Sequence, residues 1–143
     1  TPDAQRQLNW QFERRQTEKH YIALLEGQLK AQAGIVDLPL ICDWPNRPKQ
    51  KVCYQHGKPS LTHYQVLSRD SDSSRLKLIP VTGRSHQLRV HLQWLGHPIL
   101  GDKFYASAAQ TNAVARLQLH AEQLVLQHPH TKQQLHIVCQ CPF

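Results

Sequence analysis

Residues 75–96 (RLKLIPVTGRSHQLRVHLQWLG) change from strand periodicity to helix periodicity within a few residues, and this junction restricts the fold more than any other feature. Apolar residues alternate through RLKLIPV, which predicts a strand over 75–81. A helical pattern then ends at a glycine, and its residues are Leu88, Leu92, Leu95 and Gly96. Between strand and helix, Gly83 permits a sharp bend, and Thr82 or Ser85 is expected to cap the first helical turn.

The rest of the chain predicts strands arranged in hairpins. THYQVL (62–67) and RLKLIPV bracket the turn SRDSDSS, and LQLHAEQLVLQHP (117–129) and QLHIVC (134–139) bracket another turn. HYIALLEG (20–27) has β character, whereas residues 3–16 predict a helix from the spacing of Leu8 and Phe12. We therefore expect one α+β domain over residues 1–143, with a mainly antiparallel mixed sheet and inserted helices.

Arg84 stands at the start of the predicted helix, where the helix dipole disfavours a cation. The position predicts a carboxylate or phosphate partner that the planar guanidinium would bind in a bidentate manner. No acid lies beside Arg84 in sequence, so this partner must come from elsewhere. Asp102, which follows a glycine, is interpreted as a turn or cap residue.

The charge distribution favours a nucleic-acid partner. The chain has 17 Lys and Arg against 10 Asp and Glu, a net charge of +7, and residues 44–69 contain no acid. In that stretch cations suited to phosphates alternate with aromatic residues suited to stacking on unpaired bases: Arg47, Lys49, Lys51, Lys58 and Arg69, with Trp44 and Tyr54. The alternative is that the basic surface only keeps the domain soluble.

Cysteine and histidine spacing predicts structural roles. The four cysteines form no C-x-x-C pair, so we expect buried thiols without a metal or disulfide. His86 and His91 are five residues apart, which does not align two imidazoles on a helix face, and His97 is expected to stabilise a turn. No segment resembles a membrane span or a signal peptide, which predicts a soluble, cytoplasmic protein. We also expect a monomer.

Several long motifs resemble RluA-type RNA pseudouridine synthases in order and spacing. They are KHYIALLEG, GKPSLTHYQVL, LKLIPVTGRSHQLRVHLQWLGHPILGDKFY, RLQLHAEQLVLQHP and the closing PF, and together they cover essentially the whole chain. VDLPLICDWPNRPKQKVC resembles more particularly the subgroup that modifies both ribosomal and transfer RNA. The resemblance implies the catalytic-domain fold of this family, incomplete at its N-terminus, and a stem-loop of rRNA or tRNA as partner.

The resemblance also implies site residues. Tyr21 matches the active-site tyrosine, Leu88 matches an apolar position of the pocket, and Arg84 matches an arginine that pairs with the catalytic aspartate. Arg89 is expected to contact RNA phosphate or to lie on a solvated helix face. The resemblance implies isomerisation of uridine to pseudouridine, a reaction for which we expect no metal and no redox cofactor.

One family motif is absent from these residues. The catalytic aspartate of the family lies in H-R-L-D, which occurs nowhere in the chain, and the chain also lacks methionine. We therefore expect an N-terminally truncated synthase that is inactive alone. The alternative is a basic RNA-binding domain that shares the fold without the chemistry.

Overall fold

The computed structural model describes residues 2–13, 17–112 and 114–143. Its helices are α1 (Pro2–Glu13), α2 (Gln87–Trp94) and α3 (Ala108–Asn112), with a 3₁₀ turn at Trp44–Asn46. Its strands are β1 (Glu18–Glu26), β2 (Ala33–Asp37), β3 (Leu40–Cys42), β4 (Gln50–Val52), β5 (Leu61–Arg69), β6 (Ser73–Pro80), β7 (Leu119–Gln127) and β8 (Gln134–Val138). The predicted strands are therefore confirmed. The predicted first helix is confirmed to Glu13, whereas residues 14–16 and the side chain of Phe12 lie outside the described part.

Six strands form one sheet in the order β2-β5-β6-β1-β7-β8. Every recorded strand pair is antiparallel, including the predicted hairpins β5–β6 and β7–β8. β3 and β4 form a separate two-stranded sheet. The α+β prediction is confirmed, and no parallel pair of a mixed sheet occurs among the described strands.

The core lies between the central strands and α2. The side chains that face the helix are almost inaccessible to solvent: Ala23, Leu25, Val66, Leu76 and Leu78 from the sheet, and Leu88 and Leu92 from α2. Full burial of a leucine contributes about 1.5–3 kcal/mol relative to exposure. The opposite side of α2 packs through Val90 against Leu40 and Tyr105. The helix is thus held between the two sheets, and its N-terminus is fixed close to the end of β6.

The start of α2 differs from the prediction. Neither Thr82 nor Ser85 caps the helix; the N-cap is His86, which has φ +54° and makes no side-chain cap hydrogen bond. The left-handed residue of this turn is therefore a histidine and not Gly83, whose φ is not in the positive region. The prediction was wrong because the side chain of Gln87, and not a capping hydroxyl, accepts the hydrogen bonds from Thr82 and from the backbone of Arg84 in this turn.

The thiol prediction is also wrong. Cys139 is exposed, and Cys42, Cys53 and Cys141 are only half-buried. Cys139 and Cys141 follow the end of β8, so strand alternation does not direct them into the core. No cluster of metal-binding side chains is found among the described residues. Within the same residues, no helix is long and apolar enough to cross a membrane.

Candidate active site

A cavity of about 310 Å³ lies where β1, the β6–α2 turn and the first turn of α2 meet. Tyr21, Arg84 and Leu88, the three residues predicted to be catalytic, all line it. Lys19 and Arg89 contribute positive charge to the same walls. A larger cavity, of about 660 Å³, lies beside α1 and contains none of the predicted site residues. The smaller cavity is therefore the candidate active site.

Arg84 is held by one hydrogen bond from its side chain and one from its backbone. Its Nε donates a hydrogen bond to the carbonyl of Pro59 at 3.1 Å, and its own backbone N–H donates to Oε1 of Gln87 at 3.1 Å. Within the described residues no carboxylate lies within ion-pair distance of its guanidinium. The side chain is thus oriented at the cavity wall, and its guanidinium forms no ion pair with an acid among the described residues.

The side chain of Gln87 organises the turn that presents Arg84. Only 3% of the surface of this residue is exposed. Its Oε1 accepts from the hydroxyl of Thr82 and from the N–H of Arg84, and its Nε2 donates to Leu61 O and to Thr62 Oγ1, each at 2.9 Å. All four hydrogen-bonding positions of the amide are used, so this side chain links β5 to the turn.

His91 extends this network into the core. It is completely buried, and its Nε2 lies 3.0 Å from the carbonyl of Leu38 while its Nδ1 lies 2.9 Å from the hydroxyl of Thr62. The carbonyl must accept, so Nε2 carries the proton and Nδ1 accepts from Thr62. Burial lowers the pKa of His91, against smaller opposite effects of the Leu38 carbonyl and the Asp37 charge. The structural interpretation of this histidine is confirmed.

Arg89 forms an ion pair that sequence reasoning missed. Its Nε and one terminal nitrogen donate to Asp102 Oδ2 at 2.9 Å and Oδ1 at 2.7 Å. The Asp102 side chain is fully buried and only 16% of the Arg89 side chain is exposed. The interpretation of Arg89 as part of a solvated helix face is wrong, because α2 turns this residue towards the segment after Ile99. Whether Arg89 also contacts RNA stays a prediction.

Asp102 does act as a turn residue, as predicted. Its Oδ1 also accepts the backbone N–H groups of Phe104 and Tyr105, at 3.0 and 3.2 Å. The carboxylate therefore fixes both the turn and the arginine. As a completely buried and fully paired group it is held in place rather than available as a nucleophile.

His86 is a cavity residue that sequence reasoning assigned a structural role. It lines the cavity, and its Nδ1 lies 2.7 Å from the hydroxyl of Tyr105. Its ring stacks on Phe104 with 5.6 Å between centroids. Burial and, to a lesser extent, the charge of Arg89 lower the pKa of His86, against a smaller effect of Asp102. The only sequence signal was its place immediately before the helix.

None of the basic residues of the 44–69 stretch lines the cavity, and Arg69 lies at the far end of β5, where its guanidinium donates to the carbonyl of Leu29 at 2.8 Å. Lys49 and Lys51 line a groove of about 480 Å³ with Trp94 and Tyr105, and Tyr105 also contacts His86 at the cavity. Arg47 lies over the exposed ring of Trp44, 4.8 Å from its centroid. Lys58 is exposed after the turn that follows β4. The described part of this surface thus combines cations with exposed aromatic rings.

The sequence is similar to one protein family and to curated members of it. A family model described as RNA pseudouridylate synthase matches residues 1–94. The chain is 56% identical over 144 residues to the dual-specificity RNA pseudouridine synthase RluA of Yersinia pestis, covering 100% of this chain and 70% of that protein. The protein of the same name from Escherichia coli K12 is 55% identical over 130 residues, covering 90% of this chain and 59% of that protein.

Solved structures agree with these sequence matches. Human RNA Pseudouridylate Synthase Domain Containing 1 superimposes with a TM-score of 0.83 at 28% identity, covering 96% of this chain and 60% of that one. Human RNA Pseudouridylate Synthase Domain Containing 4 gives a TM-score of 0.80 at 29% identity, covering 99% of this chain and 64% of that one. The chain spans 59% to 70% of the length of the Escherichia coli and Yersinia pestis relatives.

Proposed function

The chain belongs to the RNA pseudouridylate synthase family, and on this premise we propose that it forms the uridine-binding part of an active site that isomerises uridine to pseudouridine in RNA. The observation that carries the proposal is the meeting of Tyr21, Arg84 and Leu88 at one cavity, although they come from two separate elements and a turn. A domain that only bound RNA would have no need of this combination of side chains in a recessed site.

The chemistry suggests a role for each of these residues. The bond between N1 of uracil and C1′ of ribose breaks, the base turns, and a bond between C5 and C1′ forms; C5 loses its hydrogen and N1 gains one. Leu88 supplies an apolar wall, and Tyr21 lies against the base and takes the C5 proton. The target nucleotide must leave its stack, at a cost of about a few kcal/mol that contacts to the base and the flanking phosphates offset.

Arg84 is proposed to orient the catalytic carboxylate. Its guanidinium has no acid partner in the described residues, and the position fits a bidentate contact with an aspartate from outside the chain. An upstream segment with the H-R-L-D motif would supply that aspartate, and the charge of Arg84 would keep it ionised. We therefore propose that the 143 residues alone convert no uridine.

The proposed substrate is a stem-loop of ribosomal or transfer RNA. The dual specificity in the relatives' names supports this choice, as does the groove that Lys49 and Lys51 line next to the cavity. Arg47 and Lys58 are exposed cations of the same stretch. We propose that the protein acts as a monomer, and in the cytoplasm, where these RNAs occur.

Release of tritium from C5-labelled uridine in a stem-loop RNA tests the proposal. Three proteins are compared: the chain alone, the chain preceded by an upstream segment that contains H-R-L-D, and the same protein with H-R-L-N in its place. We expect release only with H-R-L-D, and RNA binding by all three. Release at an enzymatic rate by the chain alone would place the nucleophile among its own acids. RNA binding by all three without any release would indicate a non-catalytic RNA-binding domain.

A further inference from the structure

His86 occupies a conformation that few histidines adopt. Its φ of +54° and ψ of +19° lie in the left-handed region, at the N-cap of α2, without a side-chain hydrogen bond to the helix. A non-glycine residue there carries a conformational cost of about 1–3 kcal/mol, and such residues are enriched at functional sites. The conformation directs the ring away from the capping position and against Phe104 and Tyr105.

The hydrogen bonds around Tyr105 determine which ring nitrogen of His86 carries the proton. The backbone N–H of Gln50 donates to the hydroxyl oxygen of Tyr105 at 2.9 Å. The Tyr105 proton is therefore free to bond with Nδ1 of His86 at 2.7 Å, and this arrangement satisfies both groups. Burial raises the pKa of Tyr105, so the phenol keeps this proton. Neutral His86 must then carry its own proton on Nε2.

The Nε2–H is thus left as a donor on a residue that lines the cavity. Among the described residues, the ring of His86 makes no hydrogen bond besides that with Tyr105, and the residue lines the same cavity as Tyr21 and Arg84. A neutral donor suits this position. The uncharged imidazole is not repelled by the charge of Arg89, and it can still donate a hydrogen bond to an acceptor.

The surroundings favour an anionic acceptor. Lys49 lies over the ring of Tyr105 at 5.6 Å and Lys103 over the ring of Phe104 at 5.3 Å. Asp102 is already neutralised by Arg89, and Asp43, which lines the groove beside Lys49 and Tyr105, balances only one of the two lysines. The two lysines therefore leave an excess of positive charge around His86, which suits a phosphate oxygen better than an uncharged carbonyl.

We propose that His86 donates a hydrogen bond from Nε2 to a phosphate oxygen flanking the target uridine, with Tyr105 fixing the tautomer. This inference rests on the proposed function, because it requires RNA in the cavity. It assigns His86 a role in binding the substrate and Tyr105 a positioning role.

Binding measurements with the chain and a stem-loop RNA that carries a single loop uridine test the proposal. His86→Phe keeps an aromatic ring against Phe104 but removes the donor, and we expect affinity to fall about tenfold, as for a hydrogen bond to a charged acceptor. The salt dependence of binding should not change, because no cation is removed. His86→Asn, which tolerates the left-handed backbone and retains a neutral donor, should recover part of the affinity. Thermal unfolding confirms that both variants are folded.

A second RNA identifies the acceptor. Methylphosphonate linkages placed in turn on the 5′ and 3′ sides of the uridine remove one phosphate charge at a time. At one of these positions the difference between the unaltered chain and His86→Phe should disappear. If the difference persists with both, the acceptor is not a flanking phosphate, and equal affinity of His86→Phe and the unaltered chain for normal RNA overturns the donor role. Failure of the unaltered chain to bind any RNA overturns the proposed function instead.

Discussion

Arg89 and Asp102 form a bidentate ion pair in which the carboxylate is completely buried, although they are 13 residues apart and belong to different elements. The pair joins α2 to the turn that carries Phe104 and Tyr105. Because Tyr105 in turn contacts His86, the pair supports one wall of the candidate active site. Stability and site geometry therefore depend on the same contact.

Asp102→Asn should lower the free energy of unfolding by about 3–5 kcal/mol, because it leaves the Arg89 guanidinium largely buried without a counter-charge. Urea unfolding followed by circular dichroism measures the change. The matched control is Asp3→Asn, which breaks the Arg6–Asp3 pair, whose side chains are 77% and 80% exposed. That control should change stability little. Equal effects of the two substitutions would show that burial of the Arg89–Asp102 pair has no energetic consequence.

Gln87→Ala should lower the free energy of unfolding by about 1–3 kcal/mol, since it leaves buried groups of the β6–α2 turn without partners. The affected groups include the N–H of Arg84 and the hydroxyls of Thr62 and Thr82. Gln93→Ala, on the exposed face of the same helix, is the control and should be nearly neutral. A similar loss in both variants would mean that helix propensity, and not the network, determines the effect.

Stability should fall in mild acid, and His91 should contribute to this fall together with His86, whose pKa burial also lowers. Burial holds the folded-state pKa of His91 below the ordinary 6.5, so the unfolded chain binds a proton more readily than the folded one. The contribution of neutral His91 to the free energy of unfolding is fully present above pH about 6.5. It is lost as the pH falls from there through the folded-state pKa of His91. Denaturation midpoints between pH 8 and about pH 5 measure it.

His91→Gln should flatten this pH profile, although it lowers stability at all pH values. The exposed residue His136 provides the control, and His136→Gln should leave the profile unchanged. If the profile of His91→Gln retained the full acid decrease, another group would be responsible for it.

The strands and α2 were predictable because the pattern of apolar residues that specifies each of them lies within its own segment of the sequence. Alternating burial in β6 and the spacing of Leu88 and Leu92 in α2 follow from the periods of strand and helix, and both patterns are present in the sequence. The convergence of Tyr21 and Arg84 at one cavity was predicted from the family resemblance. Periodicity alone would have left Tyr21 as one residue of a strand.

The interactions that support the site were not predictable in the same way. The partner of Arg89 is supplied by a later turn, and the proton on His86 depends on Gln50 and Tyr105 from other parts of the chain. Propensity also favoured Thr82 or Ser85 as the cap of α2, whereas tertiary contacts of Gln87 determined the turn. Each difference arises where a polar group finds its partner through the fold rather than along the chain.

Neutralising Arg47, Lys49 and Lys51 together should weaken binding of stem-loop RNA and reduce its salt dependence by up to about one unit of slope for each phosphate that is no longer neutralised. The comparison variant neutralises Lys30, Lys77 and Lys132, which removes the same charge from other parts of the surface. Affinity measured at several salt concentrations distinguishes the two. Identical slopes for the two triple variants would contradict a specific RNA path along this surface.

Arg84→Lys is the sharpest test of the catalytic arrangement. In the protein that carries H-R-L-D upstream of this chain, lysine retains the charge but loses the planar fork that would orient an aspartate. Turnover should fall by about 100-fold, since a small misplacement of a reacting group has an effect of this size. RNA affinity should change by less than about twofold, because the positive charge remains. Tritium release and filter binding on the same RNA separate these effects, and wild-type turnover in this variant would show that Arg84 has no bidentate partner.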